Sequence, residues 1–299
     1  MRFTVNFTRR LFLFVLLTVL GLVITGGLGW FISLKFGATV PALRILIVLQ
    51  DLLVFMLPPM VTALLITRLP ATFLAVDRKP MAAAAIVGVV LLTVSTPVMD
   101  ALVAWNNSIR LPESMAGIER MMRAAEQSNA QMIETVFGGN GIGALVMGIL
   151  IVGILAGFTE ELFFRGGLQR LLTTANVNAH VAVWVTAFLF SAMHFQFYGF
   201  FPRLLLGALF GYALVWTGSL WVPVILHAYN NIMYVVIRYA SDGATAVTGA
   251  EDGVTAAVSS HPLMVAGSAL VTAVLLWLLY KLTHHPASGC PGAVKEEGE

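Results

Sequence analysis

Charge is scarce in this sequence: 11% of its 299 residues are Asp, Glu, Lys or Arg, whereas 59% are hydrophobic. A water-soluble domain carries about 25% charged residues to clothe its surface. That shortfall, with a mean hydropathy of +0.89, excludes a soluble reading and makes lipid the solvent for much of the exterior. Cysteine is nearly absent. Cys290 alone excludes an internal disulfide framework and any Cys-based zinc cluster. No basic run occurs and the net charge is only +2, so a nucleic-acid partner is not expected.

Long apolar runs fill the space that charge leaves. A spanning helix needs about 20 mostly apolar residues. Eight candidate stretches occur, at approximately 11–34, 45–66, 81–104, 142–164, 180–197, 203–217, 220–238 and 262–282. They predict an all-α, polytopic transmembrane helix bundle of about eight spans. Arg9-Arg10 before Leu11-Phe12-Leu13-Phe14 resembles a twin-arginine signal. The apolar run continues to Ile24 with no cleavage site, so it reads as a retained first span.

With eight spans and the N-terminus inside, the larger share of the 17 Lys and Arg residues falls on inner segments. This predicts both termini to be cytoplasmic. The expected setting is a bacterial plasma membrane.

Three regions follow from this layout. Residues 1–140 hold three spans and a long loop, 141–282 form the membrane core with the polar motifs, and 283–299 are a polar tail. In the loop, about 105–140, Ile118, Met121, Met122, Met132, Ile133, Val136 and Phe137 predict an amphipathic helix at the membrane surface. An interfacial connector is the expected role, a substrate gate the other.

Ionisable groups inside a bilayer cost a few kcal/mol or more, so they face a cavity or a partner. Three groups of them lie in the second half. Glu160-Glu161 and Arg165 end the fourth stretch, Phe190 and His194 lie late in the fifth, and His227 with Asn230-Asn231 lies inside the seventh. Glu161 and Arg165 are four apart, acid first, the favourable order for a helical ion pair. Glu160 points about 100° away and is left without that partner. One carboxylate reads as structural, the other as available to act as a general base.

Glu160 and His194 are both 17 positions from Val177, in the polar turn 173–178. An antiparallel hairpin would set them at one depth, roughly 25 Å along each helix. His227 and Asn231 share a helix face and offer two donors to a developing oxyanion. His227 lies much nearer the start of its helix than His194 does to the hairpin turn. The two share a level only if the sixth span is short or its loop dips inward.

Other polar residues read as structural. Asp51 is expected to pair with Arg44 or to support a kink near Pro58-Pro59, and Asp100 to reach water from the end of the third span. His180, His261, His284 and His285 lie at turns or helix ends.

The pattern E-E-x-x-x-R, F-x-x-x-H and H-x-x-x-N resembles the CAAX-protease and bacteriocin-processing family of intramembrane proteases. Glu160, Glu161, Arg165, Phe190, His194, His227 and Asn231 supply every position of it. The resemblance spans about 100 residues, from Gly141 to Arg238.

It implies peptide-bond hydrolysis of a peptide or membrane-protein substrate within the lipid bilayer. Glu160 would activate water with the help of His194, His227 and Asn231 would stabilise the oxyanion, and Glu161 with Arg165 would support the site. Glu160, His194 and His227 could also supply three ligands to a divalent metal such as zinc. No H-E-x-x-H helix is present, and the same residues work as a metal-free acid–base site. No prenylated substrate is assigned.

Two other readings share these residues. A non-catalytic scaffold or bacteriocin-immunity-type protein would keep them for helix packing, and a proton-coupled transporter would use Glu160 and His194 as a relay. A transporter predicts an inverted repeat, and the N-terminal half holds no counterpart of the motifs.

Overall fold

A computed structural model of the chain describes residues 6–37, 39–137, 141–242 and 261–284. Cys290, His285 and almost all of the tail 283–299 lie outside them. Among the described residues every element is helical and no strand occurs.

The main helices are α1 (Phe7–Phe36), α2 (Val40–Ile66), α3 (Ala82–Val94), α4 (Thr96–Ser108) and α5 (Ala116–Phe137). They are followed by α6 (Ile142–Thr174), α7 (Ala179–Ala192), α8 (Phe200–Thr217), α9 (Trp221–Asp242) and α10 (Pro262–His284). The protein is a multi-pass membrane protein with an all-α bundle fold.

All eight apolar stretches are helical, but not all have the length of a span. Five helices are long and apolar enough to cross a membrane: α1, α2, α6, the α8 segment from Phe197, and α10. A sixth arises if α3 and α4 are one broken span, bent by 52°. Pro97 stands in the first turn of α4 and has no N–H for the preceding turn, so the helix breaks at Ser95. The stretch 180–197 forms only the 14-residue α7, about 21 Å long at 1.5 Å per residue. The stretch at 220–238 forms the 22-residue α9, with His227, Asn230 and Asn231 on it.

Lipid-facing character is written on the outer helices. Val23, Trp30 and Phe36 of α1 and Leu263, Leu270 and Trp277 of α10 are exposed apolar side chains, as helices solvated by hydrocarbon require. The interior instead collects aromatic rings. Phe14, Phe163, Phe164, Leu171 and Phe190 form one buried cluster. Phe210, Val222, Leu226 and Leu279 form another.

Two of the long helices carry wide, π-type turns. In α2 the turn Asp51–Met56 precedes Pro58-Pro59, whose missing N–H groups cannot continue an α ladder, and the N–H of Leu57 reaches back five residues to the carbonyl of Leu52. In α6 the turn Ile149–Leu155 sends the N–H of Ala156 to the carbonyl of Ile151. A second wide turn, Leu162–Gln169, follows in the same helix. Such turns inside α-helices often lie at functional sites.

The loop before α6 folds as expected into a helix, α5, which leaves Ile118, Met121 and Met132 exposed, Met121 at 74%. It is tied inward at Glu126, whose Oε1 accepts the N–H of Tyr198 at 2.7 Å. The guanidinium of Arg123 lies 3.9 Å over the Tyr198 ring.

Candidate active site

Glu160, Glu161 and Arg165 sit on α6 where it is enclosed by α2, α8 and α9. The expected pair forms: Arg165 Nη1 donates to Glu161 Oε1 at 2.8 Å, with both side chains 0% exposed. A buried charge must be matched, and the guanidinium is matched further. Its Nη2 donates to the carbonyl of Gly207 at 2.7 Å. One turn on, Gln169 Nε2 donates to the carbonyl of Gly211 at 3.1 Å. Two side chains four apart on α6 thus grip two carbonyls four apart on α8.

α9 approaches α6 closely through Gly153 and Gly157. A Cβ added at Gly157 would lie 3.0 Å from the backbone nitrogen of Ala228, so glycine is what lets α9 bring His227 to the glutamates. His227 is 4% exposed. Its Nδ1 donates to Glu161 Oε1 at 2.8 Å, and its Nε2 is 3.8 Å from Glu160 Oε2. One imidazole therefore stands between two adjacent carboxylates. Glu161 is occupied twice, by Arg165 and by His227. Glu160 Oε2 is buried and has no hydrogen-bond partner.

Asn231, one turn beyond His227, donates from Nδ2 to the carbonyl of Val152 at 3.0 Å. The wide turn of α6 explains that acceptor: Ala156 N–H goes to Ile151, which leaves the Val152 carbonyl to Asn231. The Asn231 amide keeps a second N–H for another acceptor.

α6 and α7 are consecutive helices joined at 175–178, within the polar turn expected at 173–178. His194 lies just past the end of α7, where Phe195 takes a positive φ of 53° and turns the chain. His194 Nδ1 donates to the carbonyl of Phe190 at 2.8 Å. A carbonyl only accepts, so Nδ1 carries the proton and Nε2 of the neutral ring is an acceptor.

Phe190 joins the two histidines. Its ring meets His194 edge to face at 5.0 Å and His227 at 5.6 Å, and Arg165 lies 4.8 Å above it. Phe190, one turn before His194, thus touches both imidazoles. Among the described residues, no three His, Cys, Asp or Glu side chains are grouped so as to hold a metal ion. Glu160, His194 and His227 do not fit a three-ligand metal centre as arranged.

The comparisons with known proteins agree with the motif. Residues 142–233 match the family model for Type II CAAX prenyl endopeptidase Rce1-like proteins. Over this stretch the chain is similar to the CAAX-protease family. No curated protein and no solved structure matches the chain.

Within the matched core, several residues that build the site carry no motif in the sequence. Phe210 of α8 stacks on His227 with centroids 5.0 Å apart and planes 20° apart. Outside the core, buried Asn106 of α4 donates to the carbonyl of Phe197 and accepts the N–H of Phe201, each at 3.1 Å. Ser191 Oγ donates to the carbonyl of Phe200 at 2.6 Å. Together with Glu126 they clamp the turn that carries His194. Ser191 stands out as a polar residue in an apolar run, whereas Asn106 and Glu126 lie in polar stretches and carry no such signal.

Asp51 does not pair with Arg44, which directs Nε to the carbonyl of Val136 on α5 at 2.9 Å. His180 pairs with the Tyr212 hydroxyl at 2.9 Å, and His284 stacks on Tyr280.

Proposed function

We propose that the chain is an intramembrane endopeptidase in which Glu160 activates water and His227 serves the developing oxyanion. The observation that carries this reading is the division of labour between neighbouring glutamates. Glu161 accepts from both Arg165 and His227 through Oε1, so its charge is already matched although its Oε2 is unpartnered, whereas Glu160 Oε2 accepts no hydrogen bond and faces His227 Nε2 at 3.8 Å. A carboxyl oxygen with no donor on it is open to a proton from water.

In the proposed reaction a water oxygen bonds to the scissile carbonyl carbon as Glu160 takes one of its protons. His194, with Nε2 as acceptor, assists that transfer. The carbonyl electron pair moves to oxygen, where His227 Nε2–H and the second N–H of Asn231 stabilise it. Glu161 accepts from His227 Nδ1, orienting the ring and stabilising its imidazolium form, as a buried carboxylate does for a catalytic histidine. Glu160 then returns the proton to the amide nitrogen as the C–N bond breaks, releasing an amine and a carboxylic acid. No step is routed through a metal.

The substrate is a peptide or membrane-protein segment that reaches the site from the lipid. The test compares membrane-protein fragments in cells carrying the wild type or Glu160→Gln at matched expression. Fragments that disappear with Glu160→Gln support the protease reading and identify substrates. An unchanged profile from a folded Glu160→Gln protein would favour the scaffold.

A further inference from the structure

Asp51 is the one acidic side chain of α2, and it lies where the N-terminal half meets the catalytic core. Its wide turn, Asp51–Met56, packs directly on the Ala156–Glu161 stretch of α6. The residue is 3% exposed, and its Oδ2 is buried without a hydrogen-bond partner. Glu160 Oε2 is likewise buried and unpartnered. The Asp51 turn thus presents one unsatisfied carboxyl oxygen to a stretch of α6 that carries two, Glu160 Oε2 and Glu161 Oε2, and of those two glutamates it is Glu161 whose charge Arg165 already matches.

The fold gains nothing from such an arrangement. A buried carboxyl without a partner costs free energy, a like charge beside it adds to the cost, and a neutral side chain of similar size would avoid both. Costly polar groups of this kind cluster where chemistry uses them. A water molecule has two O–H donors and is held well in a protein interior when each finds an acceptor.

We propose that Asp51 is a second carboxyl group of the reaction centre, holding the attacking water between its Oδ2 and Oε2 of Glu160. This rests on the protease reading of Glu160. The water donates one O–H to each carboxyl group, which leaves an oxygen lone pair for the scissile carbonyl. As the new C–O bond forms, the proton shared with Glu160 moves to Glu160. The other O–H keeps its hydrogen bond to Asp51, whose own protonation does not change. The matched family segment begins at residue 142, so this group comes from outside it.

The full-length protein, as wild type, Asp51→Asn, Asp51→Leu and Glu160→Gln, is compared in native membranes. The readouts are the rate at which Glu160-dependent membrane-protein fragments form and the thermal midpoint of each purified protein in detergent. Asp51→Leu removes the acceptor and should slow fragment formation by about 10- to 100-fold, and Asp51→Asn, which keeps one acceptor oxygen, by only about 3- to 10-fold. Both should match or exceed the wild-type midpoint, because an unmatched buried carboxyl is gone. Wild-type rates in both variants overturn the inference. So does a lost rate with a lowered midpoint in both, since Asp51 would then support the fold. Fragments that persist with Glu160→Gln overturn the protease reading itself, a separate result from normal rates with Asp51→Asn alone.

Discussion

His227 and Glu161 meet at 2.8 Å although 66 positions separate them in the chain. That contact fixes the imidazole so that its other nitrogen faces Glu160 at 3.8 Å, and it gives adjacent glutamates different work. In the proposed reaction Glu161 orients the ring and Glu160 acts on the water.

The Glu161–Arg165 pair should behave as a matched buried pair. Arg165→Leu leaves a buried carboxylate short of its cation and should cost about 3–5 kcal/mol, read as a lowered thermal midpoint in detergent. The double variant Glu161→Leu with Arg165→Leu should recover most of that stability. It should stay inactive, because His227 Nδ1 has lost its acceptor. Recovery of both stability and activity would show that Glu161 has no part in orienting His227.

Asn106→Ala should loosen the turn that carries His194. It unpairs the Phe197 carbonyl and the Phe201 N–H, at about 1–3 kcal/mol for each buried group left unsatisfied. Fragment formation should fall while the Glu161–His227 side of the site stays intact. Normal activity and stability would mean that the turn is held well enough by Ser191 and Glu126.

Gly157→Val should separate α9 from α6. Even a Cβ would sit 3.0 Å from the Ala228 backbone nitrogen, next to His227, and backbone cannot swing aside as a side chain can. The expected cost is about 1–3 kcal/mol, with a larger proportional loss of activity because His227 is moved from Glu160. Gly26→Val, where nothing lies within 4 Å, is the control and should match the wild type in fragment assays. Equal behaviour of the two variants would refute the close-approach argument.

Chelation should leave fragment formation unchanged. The described His, Cys, Asp and Glu side chains form no three-ligand group, and the proposed steps use only protein groups and water. Extensive dialysis of membranes against a strong chelator, followed by the same fragment assay, checks this. Loss of activity restored by added zinc would require Glu160, His194 and His227 to converge in a way this arrangement does not have.

Much of this was legible before any tertiary structure, because it is written along single helices. Low charge and long apolar runs determine a membrane bundle, since lipid tolerates little else. Spacings of four determine that Glu161 faces Arg165 and that His227 shares a face with Asn231. The polar turn 173–178 marks where α6 ends and α7 begins. Helix geometry alone decides such relations.

Relations between helices were decided only by packing. That His227 reaches Glu161, that Phe190 bridges two histidines, and that Asn106 and Glu126 hold the His194 turn all depend on how closely and at what tilt separate helices approach. Nothing in local periodicity encodes those quantities. The wide turn that frees the Val152 carbonyl for Asn231 and the packing of the Asp51 turn on the Glu160 segment belong to the same class. Gly153 and Gly157 let α9 come against α6, and a helix's own sequence does not say which neighbour will fill its groove.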